Sequence, residues 1–340
     1  MSVLSIKDFS VELPQGAGER PILSNVNLHV DAGETVGLVG ESGSGKSVTS
    51  RSVLGLLPSG SLTTGEVRVD GEDVLTMGAK KLRRLRSQTA AMIFQDPTAS
   101  INPMRRIGDF LTEGARVNLG LSRKQAEAKA IDLLDAVGIR DAAHTLRRYP
   151  HEFSGGMLQR VMIAGALMSD PRLLLADEPT TALDVTTQAE VVAILLRLAS
   201  ERQAGLLFVT HNLELAAAVC DRIYVMYAGQ VVETQTADSL FTSPRHPYTS
   251  GLLASTPTLT GREGRLSVIP GRPLSLAESP QGCLFAPRCP FAEPECEQAR
   301  QTLRPVALDV EVACRRAEHI AHALREQVSD QSHLPKGTVA

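Results

Sequence analysis

Short apolar runs alternate with helical patterns through the first 250 residues. "TVGLVG" (35–40), "AAMIF" (90–94), "RLLLAD" (172–177), "GLLFVT" (205–210) and "RIYVMYAGQVVE" (222–233) are continuously apolar rather than alternating. Strands covered on both faces read that way, so the pattern predicts a parallel sheet between layers of other structure. Residues 61–72, "SLTTGEVRVDGE", alternate instead and end in Asp70-Gly71, which predicts antiparallel strands and a hairpin turn. Residues 101–170 carry no strand pattern and predict a helical lobe. Together these define an α/β domain over 1–255. Pro, Gly, Ser and Thr then become dense, and 256–282 reads as a linker. A small cysteine-rich C-terminal module follows at 283–316, and 317–340 predicts a helix and a frayed tail.

Composition changes this picture little. A formal net charge of -3 gives no global reason to expect nucleic acid. The basic run "KKLRRLR" (80–86) reads as a solvated helix face. No apolar stretch is long enough to span a bilayer, and "MSVLSIKDFS" lacks the apolar core of a secretory signal. The expectation is a cytosolic chain that meets a membrane only through a partner, where structural disulfides are disfavoured.

The densest chemistry lies between the strand "TVGLV" and the helical run "VTSRSVLGLL", where the chain reads "GESGSGKS", Gly40 to Ser47. A glycine-rich loop between strand and helix turns its N–H groups toward phosphate oxygens, and the helix N-terminus adds positive potential. The expected nucleotide contacts are Gly40, Glu41, Ser42, Gly43, Ser44, Gly45, Lys46, Ser47 and Val48. Lys46 is expected on the β/γ-phosphates and the Ser47 hydroxyl on Mg²⁺. "LLLADEPTTALD" (173–184) ends a strand with Asp177, a second Mg²⁺ ligand, and Glu178, placed to polarise an attacking water. That pair indicates hydrolysis. Gln95 after "AAMIF" and His211 after "GLLFVT" stand at strand ends, where open α/β sheets place ligands, but each alone is weak.

"FSGGMLQRV" (153–161) makes a second anion-binding helix start, with Ser154 as its cap. With the preceding motifs it resembles the ATP-binding cassette (ABC) transport ATPases. That resemblance implies a P-loop ATPase domain with a parallel core sheet, an antiparallel β subdomain and a helical subdomain. It implies that Ser154, Gly155, Gly156 and Met157 act in trans on ATP bound by a second ATPase subunit, identical or homologous. Glu178 takes the role of catalytic carboxylate, His211 of the switch histidine, Asp184 of the interface loop, and Gln95 of a nucleotide and Mg²⁺ sensor facing the membrane subunits. "MIFQDPTASINPMRRIGD", "PRHPYTSGLL" and "GCLFAPRCP" resemble the oligopeptide/dipeptide importer branch. The implied function is ATP hydrolysis powering peptide import, at the cytoplasmic face of the membrane, with two permease subunits and an extracytoplasmic solute-binding protein. A nickel or other small-solute importer, or a non-transport ABC ATPase, is the alternative. The family stacks adenine on an aromatic near the N-terminus. Here Leu13 falls at that position, with Phe9 four residues earlier.

Four of the five cysteines, Cys283, Cys289, Cys296 and Cys314, lie in the C-terminal module, while Cys220, inside "LAAAVCDRIY", reads as a core residue. Their spacing is neither a zinc-ribbon pair nor a ferredoxin run. A four-thiolate metal site, disulfides and separate thiols all remain open on spacing. The peptide-importer resemblance implies a [4Fe–4S] cluster on all four, with Zn²⁺ as the alternative.

Overall fold

The computed structural model describes residues 1–15, 18–181, 183–255 and 268–329. Its centre is an eight-stranded sheet. In chain order the strands of the molecule are β1 (Ser2–Gln15), β2 (Gly18–Asp31), β3 (Thr35–Val39), β4 (Leu62–Val69), β5 (Glu72–Asp73), β6 (Ala90–Ile93), β7 (Leu173–Asp177), β8 (Gly205–Thr210), β9 (Arg222–Tyr227), β10 (Gln230–Thr236), β11 (Arg304–Ala307) and β12 (Val310–Val312). The large sheet runs β11-β12-β10-β9-β3-β8-β7-β6, and a second sheet runs β2-β1-β4-β5. From β9 to β6 neighbours are parallel.

Strand alternation explains the continuous apolar runs. Leu174 and Ala176 of β7 face the helical layer together with Phe208, Val161 and Ile163. Leu173 and Leu175 face the other way, against Ile6, Val26 and Val67 of the antiparallel sheet. Both faces are buried, so neither can be polar. The predicted hairpin at Asp70-Gly71 forms, with φ of 51° and 83° at its two central residues. Residues 101–170 carry helices at Ile107–Asn118, Arg123–Ala136, Ala142–Thr145 and Gly155–Leu167, and no strand among the described residues.

Two features differ from the pattern. The run 222–233 is not one parallel strand but a hairpin, β9 and β10, that turns at Ala228 (φ 45°) and Gly229 (φ 81°). Two left-handed residues make the turn whose twist suits a hairpin. An apolar-Gly pair is a weaker sequence signal for it than Asn-Gly. The cysteine-rich segment is also no detached appendage. Its hairpin β11–β12 joins the large sheet by pairing β12 with β10, and Leu284 and Phe285 join the main core. Residues 256–267 of the expected linker and 330–340 of the expected tail lie outside the described residues. The helix Ala317–Ser329 forms. Cys220 is buried, its Sγ close beneath Gly37.

Glu233 of β10 ties this edge to the chain beyond it. Its fully buried carboxylate accepts the N–H groups of Arg245 (2.6 Å) and His246 (3.0 Å). Burial raises it from 4.5 to about 7, partly offset by those hydrogen bonds. The folded state therefore holds the Glu233 proton more tightly than the unfolded chain. This group's stability contribution is full below pH 4.5 and is lost as pH rises through about 7. Chemical denaturation of Glu233→Gln is expected to show a flatter fall in stability from pH 5 to 8 than the wild type. An unchanged slope contradicts the assignment.

Candidate functional site

The loop from Gly40 to Gly45 leaves the C-terminal end of β3 and enters the helix Lys46–Ser52. Gly45 caps that helix at φ 103°, and a Cβ on it would lie 2.5 Å from Leu23 Cδ2. Conformation and space both demand glycine there. The β9–β10 turn braces the loop from beneath, since Gly229 N–H donates to the Ser44 carbonyl at 2.9 Å. Lys46 is buried, and its Nζ donates to the carbonyls of Gly40 (2.7 Å) and Glu41 (3.0 Å). Burial lowers its pKa, opposed by the charges of Glu178, Asp177 and Glu41.

The neighbouring helix position points at an acid. Ser47 Oγ donates to Asp177 Oδ1 at 2.9 Å. Asp177 closes β7, where burial pushes its carboxyl upward and the Ser47 bond opposes the shift. A hydroxyl and a carboxylate side by side form a hard oxygen donor pair, which suits Mg²⁺. Gln95, the third expected ligand, points elsewhere: its Nε2 donates to Glu178 Oε2 at 3.1 Å.

Glu178 sits at φ 48°, a left-handed conformation rare for a glutamate. Its N–H is fixed by the Val209 carbonyl at 2.9 Å. Thr181 Oγ1 donates to Glu178 Oε2 at 2.9 Å, and His211 Nδ1 stands 3.3 Å from the same oxygen. Gln95, Glu178 and His211, scattered over more than 110 residues, therefore meet at the ends of β6, β7 and β8. Thr181 completes the group and was not singled out from the sequence. Its only sequence signal is its place three residues beyond Glu178. A carboxylate held by three polar neighbours can orient a water and accept its proton.

Ser154 caps the helix Gly155–Leu167 and accepts Met157 N–H at 3.3 Å. Ser154 and Gly155 are exposed. Gly156 abuts Thr187, since a Cβ there would meet Thr187 Cγ2 at 2.5 Å. Asp184 caps the next helix by accepting Thr187 N–H and hydroxyl at 3.0 and 2.7 Å. The signature and the interface loop thus share one exposed edge. Phe9 is fully buried in the core and is not available to adenine, while Leu13 is partly buried. The basic run forms the exposed helix Ala79–Arg84, as expected.

The four C-terminal cysteines line one small cavity together with Phe285, Phe291 and Ile320. Burial pushes the Cys289 thiol up to about 12 and Cys314 up to about 11. Among the described residues, however, no group of three or more His, Cys, Asp or Glu side chains is arranged to hold a metal ion. The expected [4Fe–4S] cluster or Zn²⁺ on these four cysteines thus finds no support in a formed metal site.

Known proteins share both halves of this arrangement. A family model of ABC transporters matches residues 23–181, and one of the oligopeptide/dipeptide transporter C-terminal region matches 232–296. The oligopeptide transport ATP-binding protein OppD of Bacillus subtilis is 45% identical over 85% of this chain and 82% of its own. The chain belongs to the ABC transporter family, in the oligopeptide/dipeptide branch. A putative peptide import ATP-binding protein of Brucella melitensis is also 45% identical, over 94% of this chain and 98% of its own. Among solved structures, a dimeric ATP-binding cassette in a post-hydrolysis state with ADP and Pi superposes with a TM-score of 0.60. It is 26% identical and covers 69% of this chain and 98% of that one. CbiO1 of Clostridium perfringens gives 0.61 at 25% identity, over 71% and 90%. The member described here is thus an ATP-binding subunit with an ABC ATPase fold. No helix among its described residues is long and apolar enough to cross a membrane.

Proposed function

We propose that this chain is the ATP-hydrolysing subunit that powers peptide import, acting at the cytoplasmic face of the membrane. The observation that carries the hydrolytic part is the convergence of Gln95, Thr181 and His211 on the Glu178 carboxylate, beside the Lys46 loop. Peptide as cargo is supported by the match of 232–296 and by the names of the relatives.

The loop amides and Lys46 bind the triphosphate, and Glu178 takes a proton from the attacking water. Ser47 and Asp177 hold Mg²⁺, which when bound neutralises phosphate oxygens. Gln95 reports the state of the site through its bond to Glu178. The exposed Ser154 and Gly155, with the half-buried Gly156 and Met157, close over ATP on a second ATPase subunit, and Asp184 lies at that interface. A dimeric relative in a post-hydrolysis state supports this arrangement. A groove of about 620 Å³ lined by Leu54, Leu56, Phe94, Phe110 and Met162 receives a permease segment. Its apolar floor and charged rim of Arg83 and Arg86 suit an amphipathic helix. Two permease subunits and an external solute-binding protein complete the importer.

In the C-terminal segment the four cysteines hold a [4Fe–4S] cluster. Four thiols on one cavity support this reading, since they are the ligand set such a cluster would take. A single Zn²⁺ requires all four within about 2.3 Å of one point.

Glu178→Gln is expected to keep ATP binding while turnover falls about a hundredfold or more, measured as phosphate release. Turnover at the wild-type rate removes Glu178 from the mechanism. Anaerobically purified protein is expected to absorb visible light and contain about four irons per chain. A colourless protein with one zinc overturns the cluster.

A further inference from the structure

Glu41 places a carboxylate inside the phosphate-binding loop. The positions between the first glycine and Gly45 tolerate many residues, and a carboxylate there sets a negative charge beside the place where a polyanion must sit. Lys46 feels it: the Glu41 charge is among those acting on the lysine.

The C-terminal segment supplies the compensating cation. Arg288 Nη1 and Nη2 donate to the two Glu41 carboxylate oxygens at 2.8 and 3.2 Å, across 247 residues. Arg288 Nε donates to the Pro270 carbonyl at 2.9 Å, and the guanidinium lies 5.7 and 5.9 Å from the ring centres of Tyr227 and Phe285. Its side chain is only 5% exposed, against 24% for Glu41. The rest of Glu41 is held as well: its N–H donates to Tyr248 Oη at 3.0 Å, and its carbonyl accepts Lys46 Nζ and Ser44 N–H. Tyr227, Tyr248 and Phe285 form one aromatic cluster with centroid separations of 4.7 to 5.4 Å. Arg288 immediately precedes Cys289. The cysteine segment is thus tied to the phosphate loop by a bidentate, charge-assisted pair of fixed geometry.

We propose that Arg288 is a positioning residue of the ATP site, neutralising and orienting Glu41 so that Lys46 and the loop amides are left to the triphosphate. This makes the cysteine-rich segment part of its own chain's nucleotide site. The proposal rests on the ATP-binding reading above. A fold staple of the same geometry behaves differently: breaking it lowers the stability of the chain but leaves the ATP affinity of the folded fraction unchanged.

The test uses the full-length chain with MgATP, in equilibrium binding and steady-state hydrolysis. Arg288→Met is expected to weaken ATP affinity and raise KM about tenfold, with kcat within about twofold. The double variant Glu41→Gln/Arg288→Met is expected to return affinity to within about threefold of wild type. If Arg288→Met does not fold, Arg288→Gln, which keeps a hydrogen bond to Glu41 without the charge, replaces it: weakened ATP affinity supports the proposal and wild-type affinity overturns it. A folded Arg288→Met with wild-type affinity overturns it. So does a double variant that binds as weakly as the single, or that does not fold. Lys46→Ala separates the two levels: if it binds ATP normally, the ATP-site reading itself fails. If it loses ATP while Arg288→Met keeps it, only the role of Arg288 falls.

Discussion

Holding like-charged phosphate oxygens on one short loop is the constraint around which this chain is built. Backbone N–H groups can meet that charge only if the loop curls, which fixes glycine at Gly45 and close packing against Leu23. They stay aimed only if the loop cannot relax. Much of the surrounding structure serves that end: the β9–β10 turn beneath Ser44, the Tyr248 hydroxyl on Glu41, and the parallel sheet that holds β3 rigidly between β8 and β9. Electrostatic preorganisation of this kind is where catalytic sites gain most, since nothing need reorient when charge arrives.

The second demand is that the reacting water be handled only when phosphate is in place. Glu178 is held in a left-handed conformation at the end of a fully buried strand, and its carboxylate is shared among Gln95, Thr181 and His211. Those three groups come from different strand ends, so a small movement of any one changes the company Glu178 keeps. Gln95 follows Phe94, which lines the proposed permease groove. A path from groove to carboxylate therefore runs through adjacent residues. Such a link lets differential contacts with ATP bias a motion elsewhere.

Much of this was legible in the sequence, for physical reasons. Continuous apolar strands announce burial on both faces, and Leu173 to Ala176 are buried on both. Asp70-Gly71 announces a hairpin because few residues adopt its dihedral angles. The phosphate loop is readable because Gly40, Gly45, Lys46 and Ser47 stand at fixed spacing between a strand and a helix. The β9–β10 turn was missed because Ala228-Gly229 lacks a turn-forming side chain, and the run around it is apolar throughout. The joining of β12 to the large sheet depends on pairing across 79 positions, Glu233 with Val312, which no local pattern encodes. The same holds for Arg288 on Glu41. Thr181 was overlooked because a threonine carries chemistry only through the neighbour it meets.

In the proposed assembly the exposed edge formed by Ser154, Gly155 and Asp184 faces a second subunit. The most direct measurement is a structure of the assembled ATPase pair with ATP trapped by Glu178→Gln. The account predicts Ser154 Oγ and the Gly155 and Gly156 amides of each subunit within about 3 Å of the γ-phosphate held by its partner's Lys46 loop. Signature residues lying far from every γ-phosphate, in a pair that is nonetheless closed and loaded, would contradict it.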